Sequence, residues 1–130
     1  MATVEDVERL CLALPEVAER TSWGNRAWFV EKAMFCWVRP FSKADLRRFG
    51  DDPVPQGEIV GLRTEDLADR DAILGEGVPG FFTIEHLANH PGFLVELDLV
   101  DPARLETAVE DAWLARAPAR LAESWLADRP

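Results

Sequence analysis

The segment Arg26–Val38 reads RAWFVEKAMFCWV. Two short apolar runs, RAWFV (26–30) and AMFCWV (33–38), flank Glu31-Lys32, and that spacing predicts a β-hairpin. Alternation along the first run puts Trp28 and Val30 on one side and Ala27 and Phe29 on the other. Both faces are therefore apolar. Such a strand lies centrally in a sheet or is covered on its second face as well. Further along, EIVGLR (58–63), FFTIEH (81–86) and FLVELDLV (93–100) read as three more strands. In the last of them Phe93, Val95, Leu97 and Leu99 alternate with Leu94, Glu96 and Asp98, as in a sheet with one wet face.

Helices flank these runs. Thr3–Leu14 places Val4, Val7, Leu10, Cys11 and Leu14 on one face. Thr3 is its expected cap, Glu5 and Asp6 sit in its first turn, and Pro15 ends it. Residues 16–25 read as a connection ending in TSWGN, with Gly24-Asn25 as turn chemistry. Residues 64–77 form a second helix capped by Thr64 and stopped near Gly75 and Gly77. Asp101-Pro102 opens a third, whose buried stripe is Leu105, Ala108, Val109, Ala112 and Trp113. Pro118 starts a last short helix with Leu121, Ala122, Trp125 and Leu126. The order α-β-β-β-α-β-β-α predicts an α+β two-layer sandwich, an antiparallel sheet with helices on one face.

The chain has 130 residues, 48% of them hydrophobic and 29% charged, which suits one soluble domain spanning 1–130. Its formal net charge of −10 repels polyanions at long range, so a whole-molecule attraction to nucleic acid or anionic lipid is not expected. The N-terminal stretch has no basic region or long apolar run, so no signal peptide is expected, and no segment predicts a membrane span. Cys11 and Cys36 form no CxxC pattern and are expected as reduced, buried thiols of a cytoplasmic protein.

Both histidines, His86 and His90, fall four residues apart in TIEHLANHPG (83–92). A zinc protease motif is H-E-x-x-H on a helix, with the Glu between the rings. Here Glu85 precedes the first ring, and Pro91-Gly92 follows the second. With His86 at a strand end and His90 in a turn, the rings are expected to diverge. Two histidines also fall short of the three protein ligands of a catalytic zinc site. Cys36 lies inside an apolar run, where a thiol is unreactive. The sequence has no GxGxxG, GxxxxGK[ST] or GxSxG. No metal, cofactor or catalytic residue is expected, and the chain reads as non-enzymatic.

The series LALPEV (12–17), TSWGNRAWFV (21–30), VPGFFTIEHLANHPGFLVELD (78–98) and AWLARAPARL (112–121), together with the Phe35 strand, resembles the MmcQ/YjbR family over nearly the whole chain. The resemblance implies the same two-layer fold, similar in shape to frataxin-like and secretion-chaperone-like domains. It also implies DNA binding through a "double wing". Ser22, Trp23 and Gly24 match the family's Ser-aromatic-Gly, Phe82 its Phe-Thr pair, His86 its strand-end histidine and Arg120 the basic residue of its AP-x-RL segment. Ala119 and Lys32-Ala33 depart from the pattern where relatives carry lysine and Gly-Lys, which removes or moves positive charge.

Two functions follow. RPFSKADLRRFGDDPVPQG (39–57) reads as an exposed loop with a helical turn at Ser42–Phe49. Its Arg39, Lys43, Arg47 and Arg48, with Phe41 and Phe49 beside them, are the candidate contacts to DNA phosphate, in weak and salt-sensitive binding. In the competing reading those bases pair with Asp45, Asp51 and Asp52. The alternative function is an acidic adaptor for a protein, a small ligand or a second copy, using the aromatic-rich sheet face. Five tryptophans support it. Trp28, Trp37 and Trp113 are expected in the core, and Trp23 and Trp125 partly exposed, where tryptophan marks interaction hot spots.

Overall fold

The computed structural model describes residues 2–129. Its elements are α1 (Val4–Leu12), β1 (Val17–Ser22), β2 (Asn25–Val30), β3 (Ala33–Val38), α2 (Lys43–Phe49), β4 (Ile59–Arg63), α3 (Leu67–Gly75), β5 (Phe81–Phe82), β6 (Gly92–Glu96), α4 (Pro102–Arg116) and α5 (Ala119–Ala127), with a 3-10 turn at Glu85–Leu87. The strands form one sheet in the order β1-β2-β3-β4-β6-β5, and every neighbouring pair is antiparallel. The fold is α+β, with the expected hairpin at its heart: Val30 pairs with Ala33 across Glu31-Lys32.

One sheet face holds the core. Trp28 and Val30 of β2, Cys36 of β3, Leu62 of β4 and Phe93 and Val95 of β6 pack there against Val4, Val7 and Cys11 of α1 and Leu105, Val109 and Trp113 of α4. A bulge between Trp28 and Phe29 gives β3 one extra residue, which brings Phe35 into the same core. Trp113 is fully buried, donates its indole N–H to the Pro15 carbonyl at 3.1 Å, and carries the Trp125 ring of α5 at 5.5 Å. Each large apolar side chain buried this way contributes roughly 1.5–3 kcal/mol before entropy is counted.

Caps fall where side-chain chemistry places them. Thr3 forms a capping box with Asp6, and Asp101 caps α4 with Pro102 in its first turn. The second predicted helix is shorter than expected. Asp66, not Thr64, caps α3, and the Thr64 hydroxyl instead donates to the Asp66 carbonyl at 2.8 Å.

Three more expectations need correction. Residues 17–22, read as a connection, form the edge strand β1. Only Val17 is a strong strand former there, because an edge strand takes its stability from the ladder to β2 rather than from burial. The turn that follows uses Trp23 and Gly24, both at positive φ, between the paired Ser22 and Asn25. The predicted strand 81–86 keeps only Phe81 and Phe82, so His86 lies in the 3-10 turn and not at a strand end. The last predicted strand ends at Glu96.

Cys11 and Cys36 are both buried in the core and meet there across α1 and β3. Burial, and then the adjoining Cys11 thiol, pushes the Cys36 thiol well above its ordinary range. Neither thiol of the native protein should react with a disulfide reagent at pH 8, and both should react in guanidinium. A rapid reaction of either in the native state would contradict the closed core.

Candidate functional site

The second sheet face is built on one row of register partners: Ala27, Trp37, Gly61, Leu94 and Phe82, across β2, β3, β4, β6 and β5. Gly61 lets the Trp37 indole lie against β4, because a Cβ at 61 would clash with its Cε2, Cζ2 and Nε1 atoms. The outer edge of the same indole passes close to Gly92. His90 then packs edge-on against Trp37, with ring centroids 5.5 Å apart. A glycine inside a strand is the sequence sign of such a close approach, and Gly61 in EIVGLR carried it.

At the β5 end this face is covered by the segment between β3 and β4. Phe41 packs edge-on against Phe49 of α2 at 5.3 Å and against Phe82 at 6.3 Å. Asp45 fastens that segment. Its Oδ2 accepts from Arg39 Nη1 at 2.9 Å and from the Ser42 backbone N–H at 2.9 Å, and its Oδ1 accepts from Arg48 Nη1 at 3.3 Å. The carboxylate is 1% exposed. Burial pushes its pKa up, but the Arg39 guanidinium and the Ser42 amide outweigh that and bring it to about 2. The expected helical turn is the capped helix α2, and two of the four candidate bases, Arg39 and Arg48, share one buried acid, Asp45, as the competing reading had it. Lys43 and Arg47 are exposed and make no ion pair with the described residues.

At the β2–β3 end the face stays open. A groove of about 620 Å³ lies there, floored by Trp37 and walled by Met34, Phe41 and Leu87. Ser22, Trp23, Arg39, His86 and His90 also line it. Among the residues singled out from sequence, Ser22, Trp23, His86 and Arg39 are therefore brought together. Gly24 belongs to the hairpin tip beside Trp23, and Phe82 reaches the groove through Phe41. Arg120 stands elsewhere: it pairs with Glu31 at 2.7 Å and ties α5 to the β2–β3 hairpin.

Trp23 is the outlier of the site. It is 97% exposed, and its φ of 52° lies in the left-handed region that disfavours side chains. That conformation costs about 1–2 kcal/mol in a residue other than glycine. Trp37, expected in the core, is half-buried because it forms the groove floor.

Both histidines line this groove, His86 exposed and His90 half-buried against Trp37. The turn that carries them is pinned from below by Arg70 of α3, itself buried. Its Nη1 donates to the carbonyls of Leu87, Ala88 and His90 at 3.1, 2.9 and 3.2 Å. Burial, and then the charges of Arg63 and Arg70, lowers the His90 pKa, so the ring is neutral at pH 7. Among the described residues no three His, Cys, Asp or Glu side chains cluster as metal ligands would.

Fold and site together define a small α+β protein with an aromatic groove on the sheet face opposite α1 and α4. The chain belongs to the YjbR family, whose pattern matches residues 12–115. It is similar to the uncharacterized protein Rv2570 of Mycobacterium tuberculosis (strain ATCC 25618 / H37Rv) and to the uncharacterized protein Mb2600 of Mycobacterium bovis (strain ATCC BAA-935 / AF2122/97). Each is 35% identical over 131 residues, covering 98% of either chain. No helix among the described residues is long and apolar enough to cross a membrane.

The Asp45 cluster yields a pH dependence. The folded pKa of about 2 lies below the ordinary 3.8, so the stabilisation is present above pH 3.8 and is lost as pH falls toward 2. The shift corresponds to about 2 kcal/mol. Asp45→Asn should lower the urea-unfolding free energy by about 2 kcal/mol at pH 7 and flatten the acid limb of the stability profile. An unchanged profile would mean that Asp45 does not hold the 39–49 segment.

Proposed function

We propose that this protein is a non-enzymatic binding module that works through the aromatic groove on its open sheet face. The observation that carries this reading is Trp23. The two-residue turn between β1 and β2 sets the left-handed backbone of Trp23 and leaves its indole fully exposed at the mouth of a groove, where an unpacked tryptophan is free to grip a ligand. The remaining chemistry fits a binder. Both cysteines are buried, His90 is kept neutral, and the turn bearing the histidines is fastened by Arg70 rather than aimed at a reacting group. Reduced, buried thiols also suit a cytoplasmic compartment.

The reading is tested by adding mixtures of small molecules to the protein and following the indole N–H resonances of Trp23 and Trp37 by NMR. Ligands of the groove should move both signals, and Trp23→Ala should weaken them about tenfold without changing the unfolding midpoint. Ligands that bind while leaving both indoles unmoved would sink it.

A second reading, DNA binding as the resemblance implies, draws on Lys43 and Arg47, which stand exposed on α2 beside Arg48. Against it stand the net charge of −10 and the engagement of Arg39 and Arg48 by Asp45. With so few cations available, labelled duplex should give at most a weak anisotropy signal at low salt, gone by about 0.2 M. Lys43→Glu/Arg47→Glu should abolish that signal. A signal that persists at 0.2 M salt would make DNA the better reading.

A further inference from the structure

We infer that the groove takes a small, planar aromatic molecule bearing a single negative charge, such as an aryl carboxylate. The inference rests on the groove being the binding site and adds the chemistry of its occupant.

Shape comes first. Trp37, packed against Gly61 on one side, lines the groove with its half-buried indole, and the space of about 620 Å³ is that of a small-molecule site. A flat ring stacked on that indole gains roughly 0.5–1.5 kcal/mol beyond its buried area, a gain that a branched aliphatic chain does not share. Trp23, free of packing contacts that its near-complete exposure would preclude, supplies a second indole at the mouth.

Charge comes second. The chain carries 24 Asp and Glu, yet none lines this groove. Four other surface cavities each contain at least one carboxylate: Asp111, Asp52, Glu31 and Glu110 are examples. Cationic or donor groups line it instead. Arg39 uses only Nη1, on Asp45 and the Pro40 carbonyl, so its Nε and Nη2 donors make no hydrogen bond among the described residues. Arg48 shares the charge of Asp45, which leaves the Arg39–Asp45–Arg48 trio net positive. His86, exposed, also lines the groove, and Ser22 adds a hydroxyl.

The charge of the whole molecule selects among anions. A net charge of −10 opposes an approaching anion in proportion to that anion's own charge. A monoanion meets a small penalty that one guanidinium contact offsets, whereas a polyphosphate or a nucleic-acid strand meets the full field. The groove therefore favours one charge on one flat ring system.

The test compares 2-naphthoate, 2-naphthamide, 2-naphthylmethylammonium and cyclohexanecarboxylate by calorimetry and by the indole resonances of Trp23 and Trp37. Naphthoate should bind at least tenfold more tightly than the neutral amide and the cation, and more tightly than the non-planar acid. His86→Ala should weaken naphthoate severalfold while leaving the amide unchanged, and Trp23→Ala should weaken both. Both side chains are exposed, so neither change threatens the fold.

If the three naphthyl compounds bind equally at the two indoles, the charge assignment is overturned while the groove stands as the site. Naphthoate that fails to bind at millimolar concentration overturns the ligand class. Failure of every compound to move either indole overturns the groove itself. A dimer in sedimentation that Trp23→Ala dissociates would also overturn the inference, since a second copy would then be the occupant.

Discussion

The Trp37 indole can lie against β4 only because residue 61 has no side chain. From that contact the whole second face of the sheet follows. The indole packs edge-to-face with the His90 ring, and Arg70 holds three carbonyls of the turn that carries His90. A missing side chain in one strand thus lets an aromatic of the next strand join the sheet to a distant turn.

The same face has to meet two demands. Its central strands are apolar on both sides, so the side away from α1 and α4 needs cover. The 39–49 segment supplies this at the β5 end, with Phe41 and Phe49 over Phe82 and the buried Asp45 as its anchor. Burying a carboxylate is costly, and it is tolerated here because two guanidiniums and a backbone amide complete its hydrogen bonds. Basic residues that would otherwise be free for phosphate are drawn into structure by this arrangement. At the β2–β3 end the cover stops, and the apolar floor meets solvent only through Trp37 and its neighbours.

Much of this was legible in the residues. The hairpin at 26–38, the capped first helix and the Asp-Pro start of α4 each depend on contacts a few residues apart, so local pattern sufficed. Partial exposure of Trp23 was also expected from the turn chemistry beside it, whereas its place at a hairpin tip, almost wholly in solvent, was not. The edge strand 17–22 was not legible, since VAERTS has neither alternation nor bulk, and its partner defines it. Nor was the short reach of β5. FFTIEH has strand-like composition throughout, and only the Arg70 anchor beneath 87–90 explains why the chain leaves the sheet after Phe82.

By itself, then, the sequence determined the class of fold, the central pair of strands, the caps of α1 and α4 and the balance of charge, all of which arise from periodicity and short-range chemistry. Only the tertiary structure decided that Ser22, Trp23, Arg39, His86 and His90 share one groove, that of the three acids offered to the basic segment it is the buried Asp45 that pairs with Arg39 and Arg48, and that Trp37 lines the groove instead of lying in the core. Those outcomes depend on which residues become neighbours across five strands and a long crossing segment. Spacing along the chain does not encode such contacts, because the sheet order brings β6 between β4 and β5 and folds distant turns onto the same face.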